Sequence, residues 1–68
     1  MNNLEALFED IEVLEKEIKK TWPKQKGRVI LANIKTDVDY EFGSPETDVE
    51  HLKWAAEYKS KLRAKLSE

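Results

Sequence analysis

The sequence contains no cysteine, so neither a disulfide nor a thiolate metal site can brace its fold. Its two glycines, Gly27 and Gly43, are too few for a phosphate-cradling loop. Histidine occurs once, at His51, without the companions that a zinc site or a Ser-His nucleophile requires. Ser44, Ser60 and Ser67 sit in no nucleophile-elbow pattern. No stretch approaches the ~18 apolar residues of a membrane span. The opening MNNLEALFEDIEVLEKE is acidic and amphipathic, unlike the basic-then-apolar pattern of a signal peptide. These absences point to a non-enzyme that needs no cofactor or metal and is expected in the cytoplasm, away from membranes.

With 68 residues there is room for one core and one domain. Net charge is only −2, but the charges fall in blocks. Residues 5–17 carry six acids and one lysine, and residues 19–35 six bases and no acid. Residues 37–50 carry six acids and no base, and residues 51–65 five bases and one acid. The simplest expectation is that successive elements present complementary faces and pack together.

Leu4, Leu7, Ile11, Leu14 and Ile18 recur at alternating spacings of three and four and define one helical stripe, which Phe8 and Val13 widen. Asn2 or Asn3 can cap this helix, Glu5 suits its positive end, and Lys16, Lys19 and Lys20 suit its negative end. Pro23 ends it, so a helix is expected over Asn3–Thr21. Acidic residues beside the stripe disfavour a parallel homodimer, so the stripe is expected to face this chain's own core.

Downstream, Gly43-Ser44-Pro45-Glu46 punctuates the chain, with Ser44 as a cap and Pro45 at the first helical position. A second helix is expected over Pro45–Leu66. Val49, Leu52, Ala55, Ala56, Tyr58, Leu62 and Leu66 share its apolar face, and Trp54 lies at the margin.

Between these helices Arg28–Phe42, RVILANIKTDVDYEF, alternates from Ile34 onward. Apolar residues or threonine occupy even positions and Asp37, Asp39 and Glu41 odd ones, the signature of a half-buried strand. Fifteen extended residues would span roughly 50 Å, so a β-hairpin of about 28–33 and 37–42 is expected, turning within Asn33–Asp37. Val38, Tyr40 and Phe42 would face inward. The competing reading is helix through 28–35, since an apolar run such as Val29-Ile30-Leu31 does not separate the two. The preferred fold is therefore α+β, ordered α-β-β-α, with two long helices packed on a central β-hairpin; an all-α helical bundle is the alternative.

These residues are compatible with three kinds of site. Asp37, Asp39 and Glu41 on one strand face could hold a hard cation, but a solvated, aggregation-blocking face explains them better. For protein docking, Trp22 and Trp54 are the candidate anchors, with Asp37, Asp39 and Glu41 as an acidic row beside them. The partner would be another protein or a second copy. For nucleic acid, KKTWPKQKGR supplies Lys19, Lys20, Lys24, Lys26 and Arg28 around a tryptophan, and the second helix adds Lys61, Arg63 and Lys65. A sequence pI of 5.4 weighs against that use, so protein docking is preferred.

The runs GRVILANI and DVDYEF, followed by the step through Ser44 into DVEHLKWAAEY, resemble the small head-to-tail joining protein W family of lambda-like phages. The resemblance covers roughly residues 25–58. It implies a hairpin leading through a polar turn into a helix, and a non-enzymatic virion-assembly part that binds a ring of other proteins in the host cytoplasm or the virion.

Overall fold

The computed structural model describes residues 3–68. Its elements are α1 (Asn3–Thr21), α2 (Gln25–Phe42) and α3 (Asp48–Leu66), and the described residues contain no strand. The fold is the all-α bundle; the α-β-β-α arrangement is overturned.

Helix α1 has the expected bounds. Ile11 and Ile18 of its stripe are buried, and Leu7 and Leu14 pack against them. Phe8 and Val13 are 41% and 60% exposed, so the stripe is narrower than expected. Asn3 is the first residue of the helix, and Asn2, the other candidate cap, lies outside the described residues.

Helix α3 starts three residues later than the proline suggests. Its cap is Thr47, whose Oγ1 accepts the Glu50 N–H at 3.2 Å and donates to Glu50 Oε1 at 3.2 Å. This is one half of a capping box: the Thr47 hydroxyl satisfies the Glu50 N–H, and the Glu50 carboxylate accepts from that same hydroxyl. Its Thr-x-x-Glu signature outcompetes Ser44-Pro45 because it supplies two hydrogen bonds where Pro45 only presets φ. Ala55, Tyr58 and Leu62 are buried as expected, whereas Val49 is 61% exposed.

The predicted hairpin is α2. Its buried residues are Gly27, Leu31 and Val38, with Ile30 and Ile34 packed against the core, a helical spacing. Period two and period four coincide at positions 34, 38 and 42, which is why the alternation resembled a strand. Thr36 and Tyr40 decide between them, because a strand turns them inward and a helix turns them away. Thr36 is exposed and Tyr40 is 94% exposed, correcting the expectation that Tyr40 faces the core. Thr36 Oγ1 donates to the Ala32 carbonyl at 2.9 Å, a bond made one helical turn back. Gly43 ends this helix rather than a strand. At φ 76° it adopts the left-handed region open to glycine, and its N–H reaches the Asp39 carbonyl at 2.7 Å. The runs GRVILANI and DVDYEF, for which a hairpin was implied, are both helical.

Helices α1 and α3 lie side by side and parallel. Tyr58 meets Glu15, Lys65 meets Trp22, and Asn3 and Leu4 line one cavity with Asp48 and Leu52. Helix α2 runs back across the pair, bringing Lys35 within 3.5 Å of Glu15 and Asp39 within 2.7 Å of Trp54 Nε1. The core formed where the three meet centres on Ile18, Val38, Tyr58 and Leu62, each no more than 1% exposed.

Candidate nucleic-acid interface

The short link from α1 to α2 brings the basic residues to one end. The Trp22 N–H bonds the Ile18 carbonyl at 2.9 Å, completing the last turn of α1. Lys24 then reverses the chain at φ 62°, ψ −139°, a backbone that costs a residue with a side chain about 1–3 kcal/mol. Gly27 allows α2 to press on the end of α1. A Cβ there would overlap the Trp22 carbonyl oxygen and come within 3.1 Å of Lys19 Cα. Gly27 is thus a point of close helix approach inside α2.

Lys19, Lys20, Lys24, Lys26 and Arg28 surround this link. All five are exposed, and none joins an ion pair among the described residues. The end of α3 closes on them, with Lys65 Nζ standing 5.0 Å from the centre of the Trp22 ring and 3.2 Å from Glu68. The other two α3 bases are placed differently. Lys61 lies 3.8 Å from Glu41 and 3.9 Å from Glu57, facing α2's acids. Arg63 shares a face of α3 with Lys59, whose Nζ is 2.8 Å from Asp10. The Lys59 hydrogen bond and charge, with a smaller contribution from Arg63, hold the Asp10 carboxyl below its ordinary pKa.

The up-down-up path explains the end's polarity. Each helix passes from one charge block to the next, and reversing direction between blocks puts like blocks together. Acids at the starts of α1 and α3 are level with one another, and so are the bases at their ends. The expectation that complementary blocks pack against each other therefore holds only at a few cross-helix pairs, Lys59–Asp10, Lys35–Glu15 and Lys61–Glu41. The parallel pairing of α1 with α3 accounts for this.

For α1 and α3 the charges also favour helix formation, with acids in the first turn and bases in the last. Helix α2 is the reverse. It has no acid in its first turn and no base in its last, Lys26 and Arg28 lie near its positive end, and Asp39 and Glu41 near its negative end. Each such charge opposes the helix dipole by about 0.3–1 kcal/mol at low salt. Helix stability does not account for α2's charges.

The residues proposed for protein docking are not gathered into one free surface. Trp54 donates its indole N–H to Asp39 and packs against Tyr58 with ring centres 5.1 Å apart and tilted by 44°, Trp22 lies under Lys65, and Glu41 faces Lys61. Asp37 is exposed. A helix also spreads Asp37, Asp39 and Glu41 around its circumference, so the single acidic face predicted for a strand does not form. Among the described residues, no three metal-ligating side chains come together. His51 Nδ1 lies 2.9 Å from the Thr47 carbonyl, a local contact within the α3 cap.

Sequence reasoning missed two features of this site. One is the strained backbone at Lys24, for which the sequence carries no signal. The other is the uncharged outer side of α2, which a helical reading of residues 25–40 would have shown. No protein-family model, no curated protein and no solved structure matches this chain.

Proposed function

We propose that the protein binds nucleic acid by its phosphate backbone, using the basic end formed by Lys19, Lys20, Lys24, Lys26, Arg28 and Lys65. The observation that carries this reading is α2, whose basic start works against its own dipole. Charges placed at a cost to folding call for another reason, and contact with an anion supplies one. The unpaired state of the five bases around the link supports it, since no desolvation of an existing ion pair is needed before a phosphate binds.

The net charge of −2 does not oppose this. The molecule is 33 Å in its longest dimension, and at physiological salt charges are screened over about 8 Å. A phosphate at the basic end is therefore governed by the nearby bases, with Glu68 beside Lys65 as a local acid, while the acids at the far ends of α1 and α3 are several screening lengths away. Those acids would repel nucleic acid from the opposite end and so orient the encounter.

Protein docking, favoured by the sequence, has less support once Trp54, Asp39 and Glu41 are seen to engage partners within the chain. Measuring retention of a labelled duplex and a labelled single strand across a salt series tests the proposal. Retention at about 50 mM salt that falls steeply toward 200 mM is expected. No retention at 50 mM would overturn it.

A further inference from the structure

We infer that the outward side of α2 reads base edges in the major groove of double-stranded DNA, with its N-terminal half entering the groove. This rests on the proposed function and adds to it a ligand, a groove and a reading element.

In a chain that is 38% charged, a stripe about 100° wide down the outward side of α2 carries no charge. Taking about 100° per residue, Gln25, Val29, Ala32, Asn33, Thr36 and Tyr40 project opposite Gly27, Leu31 and Val38. All six are exposed, Val29 by 54% and Tyr40 by 94%. Their chemistry matches what base edges offer. The Gln25 and Asn33 amides can each pair with the donor and acceptor that adenine presents, and Val29 and Ala32 supply methyl contacts for thymine.

Lys26 and Arg28 flank this stripe, roughly 160° apart across it, where the two phosphate strands bordering a groove would run. From Gln25 to Asn33 the helix rises roughly 12 Å, comparable with the ~12 Å width of the major groove. Asp37, Asp39 and Glu41 follow at the C-terminal end of α2, so charge admits only the N-terminal half. Entry by the N-terminal residues of a helix is a geometry that major-groove readers use. A second copy of this chain is a poorer occupant, because the flanking Lys26 and Arg28 of two facing stripes would repel.

The test is selection from a random double-stranded DNA library by the full chain, followed by affinity measurements with Asn33→Ala and Gln25→Ala. Circular dichroism establishes that both variants keep the wild-type helix content. Enrichment of a short motif containing A·T pairs is expected. Each variant should lose roughly 10-fold in affinity for that motif and stay within about twofold for random DNA, since neither residue is charged. Salt-sensitive DNA binding without an enriched motif would overturn the inference and leave the backbone-binding reading standing. So would equal preference for single-stranded RNA. Absence of any binding at low salt would overturn both.

Discussion

Lys65 Nζ stands 5.0 Å over the Trp22 ring, tying the last turn of α3 to the link between α1 and α2. The contact crosses 43 positions of chain and brings α3's final base to the five at the link. Half-buried Trp22 also packs against the core. Replacing it with alanine removes both the platform and its packing. Trp22→Ala should cost about 3 kcal/mol or more in denaturant unfolding, whereas Lys65→Ala should cost no more than ~1 kcal/mol.

Lys26→Ala combined with Arg28→Ala should leave the fold intact, because both side chains are exposed and unpaired. Removing two phosphate contacts lowers the slope of log affinity against log salt by about 1.8. Unfolding curves of this double variant should match or slightly exceed wild type, since each lysine or arginine near a helix start opposes the dipole. An unchanged salt slope would place the phosphate contacts elsewhere.

Lys24→Gly separates stability from function. Glycine accommodates φ 62° without the side-chain penalty. The variant should gain about 1 kcal/mol of stability, while its affinity for DNA falls with the loss of one cation. If stability also falls, Lys24 makes a stabilising contact that the geometry of the link does not show.

Gly27→Ala is expected to act the opposite way. The added methyl meets backbone atoms of Trp22 and Lys19, which can move only by separating α2 from α1. A loss of about 1–3 kcal/mol follows from such overpacking. Gly43→Ala meets no neighbour within 4 Å, so any loss there should come from its φ of 76° alone.

The response to pH has two separate origins. Buried Tyr58 donates its hydroxyl to Glu15 Oε2 at 2.6 Å, and burial, followed by the Glu15 hydrogen bond and charge, pushes its ionisation far above the usual tyrosine range. Its folded pKa is raised, so the stability it contributes is fully present below the unfolded value of ~10 and is lost as pH rises beyond that. Ultraviolet titration should show one tyrosine that ionises only as the protein unfolds, and Tyr58→Phe should remove that step. Asp10 is the reverse case. Its pKa is depressed by Lys59, so its contribution is present above the unfolded value of ~3.9 and fades as pH falls below it. Thermal unfolding between about pH 5 and pH 2 should show this, and Lys59→Ala should weaken it.

Much of the candidate site was legible in the sequence. The run Lys19–Arg28 stands out as a cluster of bases around a tryptophan, and the structure leaves these bases exposed and unpaired. Whether Lys61 and Arg63 belonged with them was not legible, because two helical residues two positions apart face different neighbours. Lys61 turns to Glu41, and Arg63 lies on the side of α3 nearest Asp10.

Sequence alone determined α1, because an apolar stripe at spacings of three and four followed by a proline has only one regular solution. It determined Ala55, Tyr58 and Leu62 as core residues of α3, though not that Val49 and Ala56 are exposed, and the absence of cysteine excluded disulfide bracing. Tertiary structure decided the state of residues 28–42. Ile34, Val38 and Phe42 satisfy strand and helix periods alike, and the groove between α1 and α3 accepts Leu31 and Val38 from one side of a helix. It also decided what the charge blocks mean. Alternating blocks along a chain are neutral on average, and only reversing direction at Lys24, and again between Gly43 and Thr47, gathers the link's bases with the end of α3.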